Sequence, residues 1–173
     1  MDGIVRDSYR GGATEVYKCS GNNLYYYDVN SLYPTAMLND MPYKFLGYRQ
    51  DFVLSSFFGF VDATICVPDE VFNPFLPVKD VKTGNVIYPY GSFRGIYFSE
   101  ELKVAEAHGY FVKINGGYEF TRKKLFEEYV EHFYNKKLVS AGGERFIHKL
   151  LLNSMLKSWY KLYGLGQCYK FIT

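Results

Sequence analysis

Ten residues, Tyr25-Tyr26-Tyr27-Asp28-Val29-Asn30-Ser31-Leu32-Tyr33-Pro34, constrain this chain more than any other stretch. Leu24 to Tyr27 carry strong β-propensity and run straight into an acid, which predicts a strand of a buried sheet that ends with Asp28 facing a cleft. A carboxylate so placed can meet a cation. Ser31 and Pro34 favour a turn and a restart, and Leu32, Tyr33, Ala36, Met37 and Leu38 read as a short helix that brings Tyr33 close to Asp28. A second reading of the same residues stays open: Asp28 accepts backbone N–H bonds in an Asx-turn and Tyr33 is a core aromatic.

Whether such a site has a body to sit in is a matter of size and composition. At 173 residues, 48% apolar and 20% aromatic, the chain can bury one modest core. A net charge of +2 announces no nucleic-acid binder, so any positive groove must come from local clustering. Cys19, Cys66 and Cys168 are odd in number and far apart, which argues against a disulfide framework and a zinc site. No apolar run approaches the length of a membrane span, and Asp2 and Asp7 interrupt the start where a signal core or imported transit peptide would lie.

Along the chain, the paired Gly11-Gly12 after Tyr9-Arg10 let the backbone turn sharply or approach another chain closely. Residues 19 to 23 form a turn, and Phe57 to Val67 read as a strand. Prolines and glycines from Pro68 to Gly91 punctuate a loop-rich region with short strands such as Val86 to Tyr90. Ser99 caps a helix with Glu100 and Glu101 at its positive end and Gly109 at its stop. Tyr110 to Ile114 alternate as a strand that turns at Gly116-Gly117, and Thr121 is expected to cap a helix running to about Leu138 with a buried stripe of Leu125, Tyr129 and Phe133. A last helix from near Gly143 sets Arg145, Lys149 and Asn153 at i, i+4 and i+8, with Leu150, Leu151 and Leu152 on its other faces. Stacked cations repel by a few tenths of a kcal/mol, a penalty that an anion between them reverses. A solvated stripe on an amphipathic helix accounts for the same pattern. His108, His132 and His148 show no ligand spacing.

Asp28 to Pro34, read as DVNSLYP, resemble motif A of the family B DNA polymerases, D-x-x-S-L-Y-P. Tyr9-Arg10-Gly11-Gly12 resemble the Y-x-G-G motif of the protein-primed subgroup, and Lys149 to Ser154 resemble the start of motif B, K-x-x-x-N-S-x-Y-G. The three segments stand in the family's order. The resemblance implies an α+β fold over residues 1–173: part of a polymerase palm, an antiparallel sheet with helices, plus the fingers helices. It points to polymerases of linear plasmids in mitochondria, encoded and made in the organelle.

The chemistry implied is template-directed deoxynucleotidyl transfer with two Mg²⁺ ions, most of it positioning and charge neutralisation. Asp28 and the Val29 carbonyl would be metal ligands. Ser31, Leu32, Tyr33, Lys137, Arg145, Lys149 and Asn153 would hold the deoxynucleoside triphosphate, with the Tyr33 ring excluding a 2′-hydroxyl and Asn153 orienting that ring. Tyr9, Arg10, Gly11, Gly12 and Ser154 would touch primer-template DNA, and a terminal priming protein is a further expected partner.

Departures from the family pattern qualify this. Met155-Leu156-Lys157 follow Ser154 where x-Tyr-Gly is expected, and a Tyr-Gly pair comes only at Tyr163-Gly164. No Asp-Thr-Asp segment resembles motif C, and no exonuclease region precedes Tyr9. The sequence therefore predicts an incomplete or decayed copy, with a catalytically dead nucleotide- or DNA-binding remnant as the alternative and a packing role for the tyrosines as a third reading. No G-x-x-x-x-G-K, G-x-S-x-G or H-E-x-x-H is present.

Overall fold

Ser31 adopts the left-handed conformation (φ 55°, ψ 37°), and this reversal starts helix α1 (Leu32–Met37). The Ser31 carbonyl accepts from both the amide and the hydroxyl of Thr35, at 3.0 and 3.1 Å, which fixes the first turn. The computed structural model describes residues 19–29, 31–80 and 82–163, with residues 3, 7 and 8, and side chains as far as Ser154.

Four long strands follow: β1 (Met41–Arg49), β2 (Gly59–Val67), β5 (Gly91–Phe98) and β6 (Phe111–Lys123). They form one antiparallel sheet in the order β1-β6-β2-β5, while β3 (Val78–Lys79) and β4 (Val86–Ile87) make a separate two-stranded pair. Alternation along β2 buries Val61, Ala63, Ile65 and Val67 on one face, where Leu102 and Ala105 of α2 (Ser99–Ala107) pack against them. At the β1 end, a smaller core of Met37, Met41, Phe126, Val130 and Leu152 joins α1 and the sheet to the paired helices α3 (Glu127–Val139) and α4 (Gly142–Tyr163). The expected mixed architecture of an antiparallel sheet with helices is present.

Several expectations need correction. Leu24 to Tyr27 form no strand and are 79–92% exposed. β-propensity measures fit to a half-buried pleated surface, and no described strand offers this segment a ladder. Gly116-Gly117 do not turn the chain: β6 runs through them, because the Tyr48 hydroxyl lies where a Gly116 side chain would be, while Phe52 and Phe57 press on Gly117. Thr121 is therefore a strand residue whose hydroxyl accepts the Lys44 N–H at 3.0 Å, and α3 starts only after Phe126. Ser99 does not cap α2; it is buried, and its hydroxyl accepts the Gly59 N–H at 3.2 Å. The strand expected over Val86 to Tyr90 stops at Ile87. Of the three leucines on α4, only Leu152 is buried, with Leu150 and Leu151 50% and 36% exposed. No described helix is long and apolar enough to cross a membrane.

Candidate nucleotide site

Asp28 and Val29 lie exposed just before Ser31 and the start of α1. α3 reaches this point from far along the chain: the Lys137 ammonium donates to the Ser31 hydroxyl at 3.1 Å and stands 5.3 Å from the Tyr134 ring. Tyr33, in the first turn of α1, keeps 54% of its surface open, and Leu32 lines the cleft on α1's flank. α4 is held beside them by Leu152, buried against Met37, and by the Tyr129 hydroxyl, which donates to the Leu151 carbonyl at 2.9 Å. Burial holds the Tyr129 phenol above its usual pKa, so it remains a donor at neutral pH.

This packing leaves Arg145 and Lys149 exposed on α4 and Asn153 half-buried. Ser31 and Lys137 are thus in contact, and Leu32, Tyr33 and Asn153 belong to the elements joined by the small core. Asn153 makes no hydrogen bond to Tyr33, and Ser154 spends its hydroxyl on the Leu151 carbonyl at 3.1 Å. Tyr9, Arg10, Gly11 and Gly12 lie outside the described residues.

Asp28 offers one carboxylate. Among the described residues no group of three or more His, Cys, Asp or Glu could hold a metal ion. One carboxylate and one carbonyl suit Mg²⁺ in kind, since that ion keeps waters and binds substrate phosphates, but they are too few for a pair of ions.

Sequence reasoning missed a neighbouring cleft of about 490 Å³ between α1, α2 and the end of β6. Arg122 sits in it with its guanidinium 4.2 Å over Phe58 and 3.5 Å from Glu100, which also holds Lys103 at 2.7 Å. The signal was hidden because Arg122 follows Thr121, which looked like a helix cap, and Glu100 looked like a charge placed only for the helix dipole.

Residues 1–159 match the family described as DNA polymerase type B, organellar and viral. The chain belongs to that family. It is similar to a probable DNA polymerase of Podospora anserina, 41% identical over 156 residues, which covers 88% of this chain and 13% of the relative. A probable DNA polymerase of Neurospora intermedia is 36% identical over 181 residues, covering 96% of this chain and 18% of the relative. The chain thus spans less than a fifth of the length of these two relatives. Among solved structures it resembles Phi29 DNA polymerase complexed with primer-template DNA and incoming nucleotide substrates, with a TM-score of 0.69 and 22% identity over 91% of this chain and 31% of that one. That likeness is one of fold.

Proposed function

We propose that this chain is the part of a protein-primed DNA polymerase that holds the incoming deoxynucleoside triphosphate against motif A. Template-directed extension of primer-template DNA is then the activity of the whole protein. The observation that carries this reading is the Lys137–Ser31 bond, which ties a cation of α3 to the motif A turn. Arg145 and Lys149, exposed on the adjoining helix, supply further cations for a triphosphate, and the half-open Tyr33 ring suits a sugar without a 2′-hydroxyl. Asp28 and the Val29 carbonyl would hold Mg²⁺, which neutralises phosphate charge when bound.

We further propose a mitochondrial, organelle-encoded protein, carried on a linear plasmid and partnered by a terminal priming protein; the word organellar in the family's description is in keeping with the first of these. A second reading is nucleotide binding without turnover by this chain, in keeping with the single carboxylate, Asp28, that the described residues bring to the turn before α1.

The test is thermal denaturation with deoxynucleotides and Mg²⁺. A ligand at about a hundred times its Kd adds roughly 2.7 kcal/mol, so the melting temperature should rise clearly. Lys149→Ala and Asp28→Ala should each reduce the shift, and Tyr33→Ala should bring ribonucleotides level with deoxynucleotides. A melting temperature indifferent to nucleotide would sink the proposal. Primer extension by the chain separates the two readings, being above background only in the first.

A further inference from the structure

Tyr129, Phe133 and Lys137 stand at i, i+4 and i+8 on α3, which places them on one stripe of that helix. Each end of the stripe makes a directional bond to a different wall of the candidate site. Lys137 donates to the Ser31 hydroxyl at 3.1 Å, on the motif A side, and Tyr129 donates to the Leu151 carbonyl of α4 at 2.9 Å. On a helix that spacing is about 12 Å. Between the two, the Phe133 ring lies 4.7 Å from Tyr129 and 6.0 Å from His148. α3 thus bridges the motif A turn and α4.

The two things that hold α4 to this bridge differ in kind. Leu152 is buried in the smaller core with Met37, Phe126 and Val130, and apolar burial has no preferred direction. It keeps the helix close without fixing its roll about its own axis. A hydrogen bond weakens steeply as its angle closes, so the phenol at Leu151 supplies the direction that Leu152 lacks. Roll matters because successive helical positions point about 100° apart, and Lys149 and Asn153 stand to the side of Leu152. A modest turn of α4 swings the Lys149 ammonium, at the end of a long exposed side chain, away from the motif A turn.

The carbonyl that Tyr129 takes is also a crowded one. It accepts the Ser154 hydroxyl at 3.1 Å, and the helical ladder directs the Met155 N–H at it as well. Three donors share two lone pairs, so the backbone of α4 supports itself least at this turn and an outside tie has most effect there. We propose that Tyr129 is a positioning residue of the nucleotide site: its hydroxyl sets the roll of α4 and so aims Lys149 at the triphosphate. The proposal rests on the reading of this site as one for a nucleotide, and adds to it a residue that acts only through α4.

The test is a double-mutant cycle on the full chain, in which calorimetry reads the affinity for deoxyadenosine triphosphate with excess Mg²⁺ in the parent, Tyr129→Phe, Lys149→Ala and the pair. Tyr129→Phe deletes one oxygen and keeps the ring against Phe133, so its melting temperature without nucleotide should stay within a few degrees of the parent's. Its affinity should nevertheless fall about tenfold. Lys149→Ala should cost a similar factor alone, but less than about threefold on top of Tyr129→Phe, because a cation already misaimed has little left to lose. A hydroxyl that merely held the helices together would weaken binding independently of Lys149, and the two losses would multiply. Multiplied losses therefore overturn the proposal. So does a Tyr129→Phe variant that binds like the parent while Lys149→Ala does not, a result that leaves the nucleotide site standing. A parent whose titration shows no binding removes the nucleotide reading itself, and with it any target at which Tyr129 could aim a cation.

Discussion

His148 lies buried on α4 beside Phe133, with a ring separation of 6.0 Å, and neither of its nitrogens has a hydrogen-bond partner. Glu144 stands 3.6 Å away, beyond hydrogen-bonding reach. A buried donor left unmade costs on the order of 1–3 kcal/mol, so His148→Leu should raise the melting temperature by a few degrees. A fall would mean that the ring's packing outweighs its unmet polarity. Asp62 has the opposite balance: its hydrogen bonds with Arg94 hold the carboxyl below its ordinary 3.8, against some desolvation. A lowered folded-state value means the contribution is complete above about pH 4 and fades as pH falls through that lowered value. Arg94 is largely in water, so the effect is small. Asp62→Asn should destabilise slightly at pH 6 and by less at pH 3, read from urea midpoints; an equal loss at both would assign the cost to geometry instead.

At the scale of elements, β6 organises the molecule, since it pairs with both β1 and β2. Its length depends on Gly117, over which Phe52 and Phe57 stack at 3.8 Å, and a Cβ there would come within 2.7 Å of each ring. Gly117→Ala should cost about 1–3 kcal/mol by overpacking, measured by urea unfolding, and a neutral result would show that the two rings can shift. The same residue explains where the sequence was misleading. A Gly-Gly pair marks turns through backbone freedom, but here its service is the absence of side chains under rings supplied by residues about sixty positions earlier. Local pattern could not reveal that, and misreading the pair displaced Thr121 from strand to cap. By contrast, α1, α2, β2 and the body of α3 and α4 were legible because capping acids, periodicity and alternation act within a turn or two. The Lys137–Ser31 contact was not itself foreseen: the resemblance assigned both residues to the nucleotide, and no spacing rule joins residues so far apart. Arg122 in its cleft was not foreseen, because that cleft exists only once β6 is aligned with its neighbours.

For the whole molecule, the two cores imply two stabilities. The sheet and α2 share the larger core, in which Val61, Ala63, Ile65, Leu102 and Ala105 have no exposure at all. The α3–α4 pair is attached through the smaller one and, among the described residues, through the Lys137–Ser31 bond to the turn before α1. Regions with less buried apolar contact open locally at lower free energy than the global transition. Amides of α3 and α4 should therefore exchange with deuterium faster than those of β2 and β6, as one cooperative unit. Val130→Ala, which trims the smaller core, should speed that exchange and leave the β2 amides as slow as before. If the helices bring cations to a triphosphate, adding deoxynucleotide with Mg²⁺ should slow exchange in α3 and α4 specifically, because a ligand that bridges motif A and the helices binds only the closed arrangement. Uniform exchange across both cores would show a single cooperative body, and the helices could not then move independently of the sheet to admit a nucleotide.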